Sequence, residues 1–480
     1  EQFLVYTAFT IPSTFLAVSY VGADVEGKAQ RPSLVIGRLK KLFPKLVEKT
    51  YVNPLDQASG TMDQVEGKAA AFNALVGEMR RNYQGDPVDP LWGEVYGYFK
   101  EDPTYKERLA IAQEGLSYTN VSKNLSRSAV KALYGDQLYL SVSRIERYTS
   151  CPFAYYIQYG LKAKDRVLHE ITAPDVGTLM HEVIDQFTED LRGMERDLST
   201  VDKSYITQAV DHLVNEAMDS TNTIYKSSPR YKHMGEKVKK ILNRSLMTIT
   251  AQIGKGSFVP MFNELGFGRD GEKLPPLSIE IPETGEDALL RGRIDRIDVL
   301  DMDGKSYIRI IDYKSSEKDV SLKDVYYGIQ MQLLVYLNVL IRNWHLLESG
   351  DAVPGAILYF RMDNPLVEGS VGMSDEEIET ELLKSLRLKG LLLKDAKVIR
   401  AMDEGIDEQF SLVIPAKIKA EEVVSLGNRK DKNAEMILTE EEFDTLRAYV
   451  LESMGRILKE LYDGNISIVP YKDKDKIPCT

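Results

Sequence analysis

The feature that most constrains this chain is a pair of alternating segments, 289–300 and 306–314, joined by Asp301-Met302-Asp303-Gly304-Lys305. Asp-Gly is a favoured centre for a two-residue type I′ turn, so the segments predict a β-hairpin. With Asp303 and Gly304 as the turn, Val299 pairs with Ile308, Ile297 with Ile310 and Asp295 with Asp312, and Arg293 falls beside Lys314. A four-residue loop would instead set Asp295 opposite Ile310, on the same face but one pair displaced. In the first register one face is apolar until it reaches two acids. Opposed carboxylates about 5 Å apart repel by roughly 3 kcal/mol at an effective dielectric near 20.

Such a pair calls for a positive charge between its members, and a hard divalent cation such as Mg²⁺ suits oxygen ligands. Lys314 lies two residues beyond Asp312, so it emerges on the same face and reaches a phosphate or a metal-bound water. Asp295, Asp312 and Lys314 are therefore the candidate hydrolytic set. Solvated strand-end acids would leave unexplained why both extend an apolar face with a lysine at that spacing.

Around the hairpin, 277–281 and 355–361 read as strands and 323–343 as a helix, giving a mixed α/β core. Upstream, 62–134 is helical with breaks at Gly85-Asp86-Pro87 and Asp102-Pro103, ending at Gly135. Ser143 and Glu146 have the spacing of a capping box, and long helices are expected at 176–193 and 204–253. From about 374 the chain is charged and reads as mostly helical. Phe3–Thr7 and Phe15–Tyr20 read as two short strands, an abrupt start expected of a piece of a longer polypeptide. A chain of 480 residues exceeds one ordinary core of roughly 100–200 residues. The expected divisions are 1–45, 46–140 and 141–480.

Neither a run of about 18 apolar residues nor a signal segment is present, and the two cysteines, Cys151 and Cys479, argue against a disulfide scaffold. These features predict a cytoplasmic protein. The net charge of −12 leaves DNA binding open, because phosphate contacts need a local basic groove. Gly22 to Lys28 has the spacing of a phosphate-binding loop, but Ala29 lacks the hydroxyl that Mg²⁺ needs, and Asp24 and Glu26 oppose phosphate.

Gly292-Arg293-Ile294-Asp295-Arg296-Ile297-Asp298 followed by Ile310-Ile311-Asp312-Tyr313-Lys314 resembles the RecB-like branch of the PD-(D/E)XK nucleases. Gly177-Thr178-Leu179-Met180-His181 resembles the upstream helix of that family, which implies His181 as a further metal ligand, with Glu182 as the fallback. Gln332-Leu333-Leu334-Val335-Tyr336 resembles its Gln-x-x-x-Tyr helix, which implies positioning roles for Gln332 and Tyr336.

The stretch Ser141–Tyr156 around Cys151-Pro152, with the ending Ile477-Pro478-Cys479-Thr480, is similar to members carrying an iron–sulfur staple. The resemblance implies Cys151 and Cys479 as two ligands of a 4Fe–4S cluster, which needs about four thiolates where this chain has two. It further implies a PD-(D/E)XK core preceded by a helical region and, over 1–45, the end of a superfamily-1 helicase-like domain. The polar helices that include Lys384-Ser385-Leu386-Arg387-Leu388-Lys389 are implied to wrap the nuclease. The implied activity is Mg²⁺-dependent hydrolysis of one strand of a DNA end in double-strand-break repair, with a second, helicase–nuclease partner feeding the strand. The rival expectation is a non-catalytic DNA-binding or scaffold protein that keeps the nuclease fold.

Overall fold

The computed structural model describes the chain apart from residues 1, 24–27, 51–64, 165–169, 195, 222–228, 369–371, 427–435, 474–476 and 478–480. It divides into two units, Glu1–Asn120 and Val121–Thr480.

In the first unit the helices Lys68–Tyr83 and Leu91–Glu101 stop at the expected breaks, and a third, Lys106–Ser117, ends where the sequence marks none. They share a small core of Ala71, Leu75, Trp92, Val95, Phe99 and Leu109. The two strands expected near the start are not formed: Gln2–Thr10 is a helix, and 15–20 has no regular structure. Phe3, Leu4, Tyr6 and Phe15 are exposed, and among the described residues no neighbouring strand pairs with them. A helix satisfies its backbone within itself, whereas a strand needs a partner.

The second unit is built on a six-stranded mixed sheet. Its strands are β2 (Val259–Phe267), β5 (Gly292–Met302), β6 (Lys305–Lys314), β7 (Asp351–Arg361), β8 (Lys389–Leu393) and β11 (Ile437–Leu438). Their order is β11-β8-β7-β6-β5-β2. A smaller sheet joins β1 (Tyr139–Leu140), β4 (Glu286–Leu290) and β3 (Leu277–Ile281), and β9 (Ala416–Lys419) pairs with β10 (Glu422–Ser425). The segment expected as one strand, 289–300, is thus cut at Arg291, with its first residues in the smaller sheet. Gly292 marks the junction: a Cβ there would stand 2.8 Å from the Phe267 ring.

β5 and β6 pair as the Asp303-Gly304 turn predicts, with Ile297 opposite Ile310 and Val299 opposite Ile308. Both turn residues have positive φ, 54° at Asp303 and 79° at Gly304. The crossover from β6 to the parallel β7 is two helices, Leu322–Tyr326 and Gln332–Asn343, rather than one over 323–343. Gly328, at φ 71°, makes the break where a side chain would crowd Ile457 and Thr149. Beyond 374 the chain is not mostly helical, since β8 and β11 complete the main sheet. Those strands are too short for alternation to announce them. β2 is also absent from the sequence expectation: Pro260, Glu264 and Gly266 interrupt its pattern, and a bulge between Pro260 and Phe262 lets it follow β5. Among the described residues no helix is long and apolar enough to cross a membrane.

The face of the hairpin opposite the two acids carries a buried ionic triad. Arg296 grips Asp298 through two hydrogen bonds of 2.7 and 2.8 Å, and Arg309 donates to the same carboxylate at 2.9 and 2.6 Å. Removing one partner of such a network leaves uncompensated buried charge, so Asp298→Ala is expected to destabilise this unit by about 3–5 kcal/mol. A urea midpoint within error of wild type would contradict that.

Candidate active site

The backbone ladder between β5 and β6 ends at Arg296 and Ile311. One residue further on, Asp295 turns its carboxylate back across the gap and accepts the Tyr313 N–H at 2.7 Å. Asp312 is buried in the same sheet and forms an ion pair with Lys314; no other donor reaches its oxygens among the described residues. Lys314 Nζ lies 3.5 Å from Gln332 Oε1, and Gln332 Nε2 donates to the Tyr336 hydroxyl at 2.8 Å. Gln332 and Tyr336 are one turn apart on a helix that packs on β6 and β7. The structure therefore brings Asp312, Lys314, Gln332 and Tyr336 into one chain of contacts.

His181 projects from the helix Ala173–Gly193, whose buried stripe includes Met180, Val183, Ile184 and Phe187. Its Nδ1 is 3.6 Å from both Asp295 Oδ2 and Glu264 Oε1. His181, Glu264 and Asp295 offer ligand atoms that all lie within 4.8 Å of one another. Glu264 escapes sequence reading. It sits on β2 with φ of 46°, a left-handed conformation within a strand, and nothing in its local sequence marks it. Glu182 lines the neighbouring cleft with Asp185 but is not part of this trio. Arg293, expected beside Lys314, points to β2 and lies 3.8 Å from Glu264.

Electrostatics marks the same point. Burial, followed by the charge of Asp312, pushes the Asp295 carboxyl up to about 7. Burial disfavours the His181 imidazolium, but Glu264, Asp295 and Asp312 outweigh it and raise its pKa. A carboxylate held against its own charge beside a second acid, a glutamate and an imidazole is a donor set that a divalent cation fits.

The capping box expected of Ser143 and Glu146 does not form. Ser141 caps the helix Val142–Ser150, accepting the Arg144 N–H. Glu146 instead accepts the N–H groups of Met331 at 2.7 Å and Gln332 at 3.1 Å. It supplies the cap that Met331 lacks and fixes the start of the helix that holds Gln332 against Lys314. Cys151 is buried at the end of the Val142–Ser150 helix, while Cys479 lies outside the described residues.

Residues 139–480 match the family model of the PD-(D/E)XK nuclease superfamily, and the chain belongs to that superfamily. Residues 57–115 match the fifth domain of the ATP-dependent helicase/deoxyribonuclease AddB. Over its whole length the chain is similar to an ATP-dependent helicase/deoxyribonuclease subunit of Clostridium perfringens strain SM101, at 43% identity. It is 41% identical to the protein of the same name from Clostridium botulinum strain Hall and 40% identical to that from Clostridium novyi strain NT. The chain spans 41% of the length of each of these relatives.

The raised Asp295 pKa carries a prediction for the cation-free protein. Between 3.8, the ordinary value, and about 7 the folded chain keeps a proton that the unfolded chain has lost. Stability contributed by this group therefore falls as pH rises through that window. Asp295→Asn should remove the slope, and added Mg²⁺ should offset the loss most above pH 7, because a cation favours the carboxylate. Melting temperature against pH for both proteins, with and without Mg²⁺, measures it; parallel curves would refute it.

Proposed function

We propose that this chain is the nuclease portion of a helicase–nuclease that processes double-strand DNA ends for recombinational repair, hydrolysing phosphodiester bonds of one strand. The observation that carries this reading is the convergence of Asp295, Asp312 and Lys314 on one face of the β5–β6 hairpin, with His181 and Glu264 closing on Asp295. His181, Glu264, Asp295 and Asp312 would hold Mg²⁺. Bound there, the ion would polarise a phosphate oxygen and lower the pKa of water.

The residues of the chain supply the rest. Lys314 sets an ammonium beside the acids, where negative charge develops on the phosphate under attack. Gln332 receives that ammonium and is itself held by Tyr336, so the lysine is aimed before substrate arrives. Buried Asp312 keeps Lys314 on the reacting face.

The relatives are named as helicase/deoxyribonuclease subunits. On that footing the proposed partners are DNA and an AddA-type helicase–nuclease subunit, and the proposed location is the cytoplasm. A 4Fe–4S cluster is proposed with Cys151 and Cys479 as two of its ligands. The Tyr471 N–H donates to the Ser150 carbonyl at 2.8 Å, which carries the segment leading to Cys479 past the neighbour of Cys151. Iron content and visible absorbance of the full-length protein should fall in Cys151→Ser; iron-free wild type would end the cluster reading.

Asp312→Asn in the full-length protein within its complex is expected to lower Mg²⁺-dependent cleavage of one strand of linear DNA by at least about 10²-fold, the scale of removing one electrostatic interaction in a catalytic site. Unchanged cleavage of both strands would leave a scaffold role as the answer.

A further inference from the structure

Away from Asp295, the face bearing Asp312 continues onto β7 and β8. Cross-strand partners project to the same side of a sheet. The register pairs Asp312 with Tyr359 and Tyr359 with Lys389, and sets Lys314 beside Arg361. A row of side chains thus runs from the catalytic acid across two further strands. Lys314 and Lys318 both hang over the Tyr359 ring, their ammonium nitrogens 5.8 and 4.9 Å from its centre. Arg387, just before β8, completes a hollow whose basic lining is Lys314, Lys318, Arg361, Arg387 and Lys389.

Five cations around one hollow are unexpected in a chain of net charge −12. Acids answer some of them: Asp312 pairs with Lys314, Asp363 with Arg361, and Glu317 with Lys389. Among the described residues no carboxylate forms an ion pair with Lys318 or Arg387. The Nε atoms of Arg361 and Arg387 are buried without an acceptor. Burial and the charge of Lys314 lower the Lys318 pKa, and burial lowers that of Arg387. The hollow is short of negative charge and of hydrogen-bond acceptors, both of which a phosphodiester supplies.

We propose that this hollow is a second phosphate seat, which holds a backbone phosphate of the cut strand one or two nucleotides from the bond placed at Asp312 and Lys314. Lys318, Arg387 and Lys389 take its oxygens, and the strand crosses β6, β7 and β8 in turn. This rests on the nuclease reading and adds the path of the strand. It makes the substrate a polynucleotide gripped on at least two phosphates, without regard to base.

The test uses the full-length protein in its complex and a fluorescent single-stranded oligothymidylate. Arg387→Ala/Lys389→Ala should weaken binding, with the slope of log K against log salt shallower by about 0.7 for each phosphate no longer neutralised. It should raise KM for Mg²⁺-dependent cleavage and leave kcat little changed. A single neutral methylphosphonate beside the cleaved bond should raise KM for wild type but add nothing to the double variant. An unchanged salt slope and KM would overturn the seat. Should the β8 changes unfold the protein, Lys318→Met gives the same readouts from the loop after β6. If Asp312→Asn abolishes cleavage while Arg387→Ala/Lys389→Ala binds and cuts as wild type, the seat alone fails. If Asp312→Asn has no effect, the nuclease reading fails, and the salt slope still reports on the seat.

Discussion

Everything at the site depends on the two-residue period of β5 and β6. Asp295 and Asp298 are three apart in one Gly-Arg-Ile-Asp-Arg-Ile-Asp run, so they leave the sheet on opposite sides. One side carries the acids and Lys314; the other buries Arg296, Asp298 and Arg309 in a closed ionic triad. A slip of one residue in one strand would put Arg309 and Asp298 on opposite faces and separate Asp295 from Asp312 in the same way. The triad therefore does for register what an apolar stripe alone does weakly. Arg309 reaches the Asp298 carboxylate in one alignment only, and that alignment also sets Asp295 next to the Tyr313 amide.

From that hairpin the remaining parts are fixed by contacts of very different sequence separation. Lys314 is steadied by Gln332, eighteen residues on, while Glu146 anchors the start of the Gln332 helix from 185 residues upstream of Met331. Glu146 shares its helix with the turn leading to Cys151. The segment proposed to carry the cluster and the segment that aims the lysine are thus mechanically one piece. Burial raises the Glu146 pKa while the two amides work against it, as expected of a carboxylate held inside by helix N–H groups.

The legible parts of the sequence are those whose cause is local. Asp303-Gly304 names its own turn, and the turn fixes the register, so the positions of Asp295, Asp312 and Lys314 follow from a few residues. Helix breaks at Gly85 and Pro103 are equally local. Glu264 is hidden because it reaches the site through a bulged strand with no alternation of its own, paired to residues about thirty positions away. Glu146 misleads because its spacing from Ser143 satisfies a local rule that a tertiary contact overrides. The segments at Phe3 and Phe15 have the composition of strands but no partner among the described residues, and composition cannot supply one. β8 and β11 are lost in a charged stretch because short strands whose residues are nearly all buried show no period to read.

The charge of the chain makes sense once it is placed rather than summed. On one flank of Asp295 the cleft is lined by Glu182, Asp185 and Glu264, and on the other, beyond Asp312, by five basic side chains. Three carboxylates outnumber Arg293 and His181 on the acid flank, whereas the basic flank attracts a phosphate at a distance set by the screening length of about 10 Å. On the proposed reading the two flanks divide the work. A divalent cation held by the acids would offset their charge and favour the ionised form of Asp295, and Lys314 with the basic flank would draw a phosphate along β7 and β8 to the position beside Asp312. An acidic total is then no obstacle to a nucleic-acid substrate, because phosphate contacts depend on the local basic lining beside Lys314 and not on the sum.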